Sequence, residues 1–201
     1  MIIQMYILVA NLGRKTGVFM ARFFSESQLP LATKAFTDAE KLVSDYFRLE
    51  DNEFKKNKYD VKTLAYLDEH EIKDGAFAHL CKYSYERPQS TAESGTEAFD
   101  FYRVCLQDDV ILNAVQRANP FVRLSPLMLY IAVHELIHVF RFGSGEADFD
   151  ASREEKEREE NIVHNLTKNT LQAVNHQNID IVLECFSNNF KIIDTYSCGR
   201  F

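Results

Sequence analysis

His134-Glu135-Leu136-Ile137-His138 places two imidazoles four residues apart, with a carboxylate directly after the first. On a helix, residues four apart stack on one face, so both rings can point at one metal ion about 2 Å away. Glu135 is rotated one position off that face. Its carboxylate misses the metal but reaches a water held there, and can accept the proton as that water attacks a carbonyl. Zinc suits these donors and lowers the pKa of a bound water towards neutrality. Random ordering of this composition would produce HExxH about 0.015 times per chain. The bland alternative is a pair of core histidines satisfied by carboxylates or carbonyls, but buried imidazoles flanking a buried glutamate are costly without a purpose.

Such a pair needs a rigid helix. Ser125-Pro126 reads as its start, with Ser as the cap and Pro at the first helical position. Gly143 reads as its stop. Leu127 to Phe142 is apolar almost all round, which predicts a buried helix. A polar loop over 144–151 follows. Ser152 with Glu155 forms a capping box that opens a second long helix. Its first turns are acidic, and Ile162, Val163, Leu166, Leu171 and Val174 follow.

That second helix offers the third metal ligand. The stripe Val163, Leu166/Thr167, Thr170, extended back one turn, lands on Glu159 and Glu160. Glu160 has His164 one turn further on the same face, where it can steady a ligand. Glu157 has Asn161 in the same relation but points further from the core. The order of preference is Glu160, Glu159, Glu157. His164 is itself an alternative ligand, giving a three-histidine site. Most of these glutamates need only be a solvated helix start favoured by the helix dipole. Arg141 can hold a carboxylate or a substrate terminus, or simply complement the helix end. Tyr130, one turn before His134, can line the site or be a core tyrosine with a bonded hydroxyl. His70, His79 and His176 read as surface residues.

A capped helix carrying His134-Glu-Leu-Ile-His138, then a loop, then a helix offering Glu160 resembles the gluzincin branch of the zincin metalloproteases. The resemblance covers about residues 98–171. The metzincin extension does not fit, since Arg141 and Ser144 stand where it needs Gly and His. Gluzincins usually carry Asp or Asn four residues after the ligand glutamate, and His164 departs from this. The resemblance implies one zinc per chain held by His134, His138 and Glu160, with Glu135 as catalytic base. It implies a peptide or protein substrate that pairs along an edge strand near 98–106.

The implied fold is α+β: mostly helical and zincin-like, with a small antiparallel sheet beside the active-site helix. Residues 31–50 space Phe36, Ala39, Leu42, Val43, Tyr46 and Phe47 as an amphipathic helix. A polar loop covers 51–60 and a short helix 61–70. Phe77–Tyr85 and Ala98–Leu106 read as strands, with a surface loop between them over 87–96. Gln107-Asp108-Asp109 reads as a turn and Val110-Ile-Leu112 as a short returning strand. An amphipathic helix over 179–190 closes the chain. Residues 1–30 have no defined expectation, and 31–201 form one metallohydrolase domain. The apolar run at 1–10 is too short to span a bilayer and lacks the charge order of a secretory signal. It is a buried strand, or Met20 is the true start.

A net charge of −7 and a pI near 5.4 argue against nucleic-acid and anionic-membrane partners. Cys81, Cys105, Cys185 and Cys198 are widely spaced, which favours reduced thiols and a cytoplasmic enzyme over a disulfide-bonded secreted one. Two further functions share these residues. One is a regulatory or partner-binding module that keeps zinc without general proteolysis. The other is a di-iron helical protein, since Glu135-x-x-His138 is also a di-iron ligand pair. That site needs a second Glu-x-x-His, and position 161, three before His164, is Asn.

Overall fold

A helix apolar on every side has to be enclosed, and the fold is arranged around that requirement. The computed structural model describes residues 21–49, 58–87, 97–174 and 178–187. The N-terminal run, the alternative start at Met20, the 88–96 loop, His176, Cys198 and the end of the closing helix lie outside the described residues.

Helix α1 (Leu29–Phe47) buries Ala32, Ala35, Phe36, Ala39 and Val43. Strand β1 (Tyr59–Lys62) and two 3-10 turns (Leu64–Tyr66 and Glu69–Glu71) come next. Strands β2 (Ala78–Arg87) and β3 (Glu97–Leu106) lead to α2 (Asp108–Arg117), α3 (Leu124–Gly143), α4 (Arg153–Gln172) and α5 (Ile179–Ser187). Helix α3 carries the HExxH residues and buries 14 of its side chains. It is packed by α1, α2, α4, α5 and β2. The three alanines of α1 offer small side chains to that contact, so the backbones can approach closely.

The sheet order is β1-β3-β2. β2 runs antiparallel to β3 and β1 parallel to it, so the sheet is mixed rather than wholly antiparallel. Alternation along β3 sends Tyr102, Val104 and Leu106 to the helical side, where all three are buried. Arg103 and Cys105 face the other way. There the 3-10 turns cover them, with Glu71 fully buried and bonded to Arg103 and Tyr83.

Four expectations are corrected. Residues 61–70 are not a helix: Val61 and Lys62 pair with Val104 and Cys105, and backbone pairing outweighs local helical spacing. Val110-Ile-Leu112 is not a strand. Both edges of β3 are already taken, and Asp108 and Asp109 instead begin α2, where acidic side chains favour a helix N-terminus. Strand 98–106 is central in the sheet, paired with β2 along its length and with β1 over Tyr102–Cys105, so that latter stretch is not a free edge. Ser125 does not cap α3: Arg123 holds the cap position, Ser125 and Pro126 lie inside the first turn, and Gly143 is the last helical residue. The left-handed glycine is Gly145, at φ +76°. The capping box of Ser152 and Glu155 forms as expected.

Asp108 ties distant segments together, accepting the backbone N–H groups of Phe24 and Leu64 at 3.0 Å each. Burial pushes its carboxyl up to about 6, against those hydrogen bonds. Phe24 is itself part of the core. No described helix is long and apolar enough to cross a membrane.

Candidate metal centre

Helices α3 and α4 run side by side in opposite directions, and three polar contacts mark their register. Tyr130 of α3 meets His164 of α4, hydroxyl to Nδ1, at 3.0 Å. His134 and His138 meet Glu160. Arg141 meets Glu159. As residue numbers rise along α3 they fall along α4, and Glu160 is carried to the middle of the ladder.

Glu160 sits between the two imidazoles. Its Oε2 lies 3.4 Å from His134 Nε2, and its Oε1 lies 3.3 Å from His138 Nε2. A charge-assisted N–H···O⁻ bond closes to about 2.7–2.9 Å, so these separations are long for ion pairs. They are the right length for the edges of a metal polyhedron. With metal–N near 2.05 Å and metal–O near 2.0 Å, tetrahedral ligands stand about 3.3 Å apart. The three donor atoms all lie within 4.8 Å of one another. Two imidazoles and one carboxylate are a donor set that zinc accepts, and the two Glu160 edges are compatible with a single ion.

The electrostatics follow from this packing. Burial alone would raise the Glu160 carboxyl, but the two imidazoles facing it hold it well below the usual range. Burial alone would lower His134, but Glu160 and Glu135 outweigh that and raise it. The side chain of Glu160 is 40% exposed while that of His138 is 7% exposed, so solvent reaches the cluster past the carboxylate.

Glu135 is buried, one helical position off the face that His134 and His138 share. Burial raises its carboxyl, partly offset by His134 and His138; Glu160 adds to the rise, and the charge of His79 on β2 lowers it. A buried carboxyl beside two imidazoles, with its proton affinity raised, is placed to move a proton.

What orients the imidazoles is less usual. A ligand histidine generally donates its other ring N–H to a carboxylate or carbonyl. Here His134 Nδ1 and His138 Nδ1 are buried with no such partner among the described residues. The rings are held by stacking instead. Tyr130, His134, His138 and Phe142 recur every four residues along α3. Tyr130 stacks on His134 at 6.2 Å, and Phe142 stacks on His138 at 5.5 Å with the planes 13° apart.

The remaining candidates divide clearly. Glu159 is gripped by Arg141 at 2.6 and 3.0 Å. Arg141 also bonds Glu146 at 2.6 Å, so it does hold carboxylates, and they belong to its own chain. Glu157 pairs with Arg153 one turn earlier at 2.9 Å, on the exposed side. His164 turns Nδ1 to Tyr130 and stands outside the three-donor cluster. His70 is exposed, as expected. His79 is not a plain surface residue: its Nδ1 is buried and its Nε2 lies 3.6 Å from Cys81 Sγ. The sequence signal for that contact was His79-x-Cys81 on a strand, where alternate residues share a face.

The chain matches no family model, no curated protein and no solved structure at a significant level.

Proposed function

We propose that this protein is a zinc-dependent hydrolase of the gluzincin kind, a peptidase working in the cytoplasm. His134, His138 and Glu160 would hold the ion and Glu135 would serve as general base. The observation that carries the reading is the seat of Glu160 between the two imidazoles, at separations that suit ligands of one ion better than an ion pair.

Bound zinc supplies Lewis-acid activation of water and of a carbonyl oxygen. The chain supplies the rest. Glu135 takes the proton of the attacking water and can return it to the leaving amine. Its raised carboxyl suits it to hold that proton in between. Helix α3, enclosed by its neighbours, fixes His134 and His138 relative to Glu135. The outer edge of β2 carries no strand among the described residues, and β2 packs against α3. An extended peptide adding to that edge would bring its backbone past Glu135.

The test is metal content and turnover on the full chain. His134→Ala and Glu160→Ala should each lose one zinc. Glu135→Gln should keep it, while cleavage of an unfolded protein substrate falls about 10²–10⁴-fold. Full zinc in His134→Ala would end the proposal; undiminished cleavage by Glu135→Gln would end the assigned mechanism.

A further inference from the structure

A second group of soft donors lies on the sheet, on β2 and β3. His79 and Cys81 are alternate residues of β2 and share a face. Cys105 of β3 stands directly across from His79, and Cys81 is one step along, across from Arg103. Their donor atoms all lie within 4.8 Å of one another. Cys81 Sγ is 3.7 Å from Cys105 Sγ and 3.6 Å from His79 Nε2. Cys105 is fully buried and the other two are half-buried.

These separations decide between two chemistries. A disulfide needs sulfurs about 2.05 Å apart and Cα atoms usually within about 6.8 Å, whereas diagonal neighbours across an antiparallel pair sit about 7–8 Å apart. A tetrahedral zinc with Zn–S near 2.3 Å and Zn–N near 2.05 Å sets its sulfurs about 3.8 Å apart and each sulfur about 3.6 Å from the nitrogen. Two of the three donor–donor edges, 3.7 and 3.6 Å, suit the second, and the third lies within 4.8 Å. Two thiolates and an imidazole also select zinc over magnesium or calcium.

We propose that His79, Cys81 and Cys105 form a second zinc site, sharing no residue with the first. Binding releases the two thiol protons to solvent, because only thiolates coordinate. The nearby Glu71 is not a fourth ligand. Its carboxylate is already engaged by Tyr83 at 2.5 Å, Arg103 at 3.0 Å and the Asp68 backbone N–H at 2.9 Å. The fourth position would be left to solvent. The ion would clasp β2, the edge strand among the described residues, to β3.

Cobalt substitution separates the two sites, since only a thiolate site gives an intense near-ultraviolet sulfur-to-cobalt band. The full chain is used with Cys185 and Cys198 replaced by serine, reduced, stripped of metal and titrated with Co²⁺. The band should appear and should persist in His134→Ala. It should vanish in Cys81→Ser and in Cys105→Ser. Zinc analysis should give about two ions per chain, and about one in each single-site variant. Should the serine variants fail to fold, thiol counting on the parent chain suffices: zinc should protect both cysteines from a thiol reagent. Absence of the cobalt band, a band unchanged in folded serine variants, or full thiol reactivity with zinc present would overturn the site. None of those outcomes touches the hydrolase proposal, whose failure shows only in His134→Ala and Glu135→Gln.

Discussion

Arg141 grips both oxygens of Glu159, one residue before the carboxylate that reaches the imidazoles. Both side chains are 11% exposed, so the pair is worth more than a solvent-screened surface bridge. It fixes the rotation of α4 about its own axis, and that rotation decides which glutamate faces His134 and His138. Arg141→Ala leaves a largely buried carboxylate with its main partner gone. It should cost about 2 kcal/mol in urea unfolding and weaken zinc binding about 10–100-fold. Glu159→Gln should lose stability yet keep one zinc at the histidine site. If Glu159→Gln strips that zinc while Glu160→Gln holds it, the ligand assignment is reversed.

The stacked ladder makes a separate claim. With no hydrogen-bond partner at either Nδ1 among the described residues, the orientation of His138 rests on the ring of Phe142. Phe142→Ala should therefore loosen zinc about tenfold, as loss of a ligand-orienting partner does elsewhere. Phe142→Tyr, which keeps the ring, should bind zinc like the parent. Competition against a chelator of known affinity reads this directly, and equal affinity in the alanine variant would refute the stacking account.

Much of this was legible in the sequence, and the failures have a common cause. Helix α3 announced itself through an unbroken apolar run, and Ser152 with Glu155 announced α4. The buried stripe Val163, Thr167, Thr170 pointed back at residues 159–160. One helical position separates Glu159 from Glu160, about 100° of arc, and only the pairing with α3 resolves it. Val110-Ile-Leu112 is a short apolar run, which periodicity cannot assign to strand or helix. Its fate depended on β1 occupying the free edge of β3, a contact between residues some forty positions apart. His79 looked like a surface histidine because its neighbour Cys105 comes to it only through strand register. Local helical pattern was readable; pairing across the chain was not.

The buried Glu71 gives a prediction in pH. Burial would raise its carboxyl, but the Tyr83 hydroxyl, the Asp68 N–H, Arg103 and Lys62 outweigh this and bring it down to about 2. A folded-state value below the unfolded one means that the ionised form stabilises the fold. The contribution is complete above about pH 4.5 and is lost as the pH falls towards 2. At about 1.4 kcal/mol per pH unit it is worth at most about 3.5 kcal/mol. Urea unfolding of the parent and of Glu71→Gln should thus differ by up to that amount at pH 7, and the two curves should converge between pH 4.5 and 2. A gap that stayed constant down to pH 2 would mean that the charge of Glu71 contributes nothing, and that the variant suffers only from its altered hydrogen bonds to Tyr83 and Arg103.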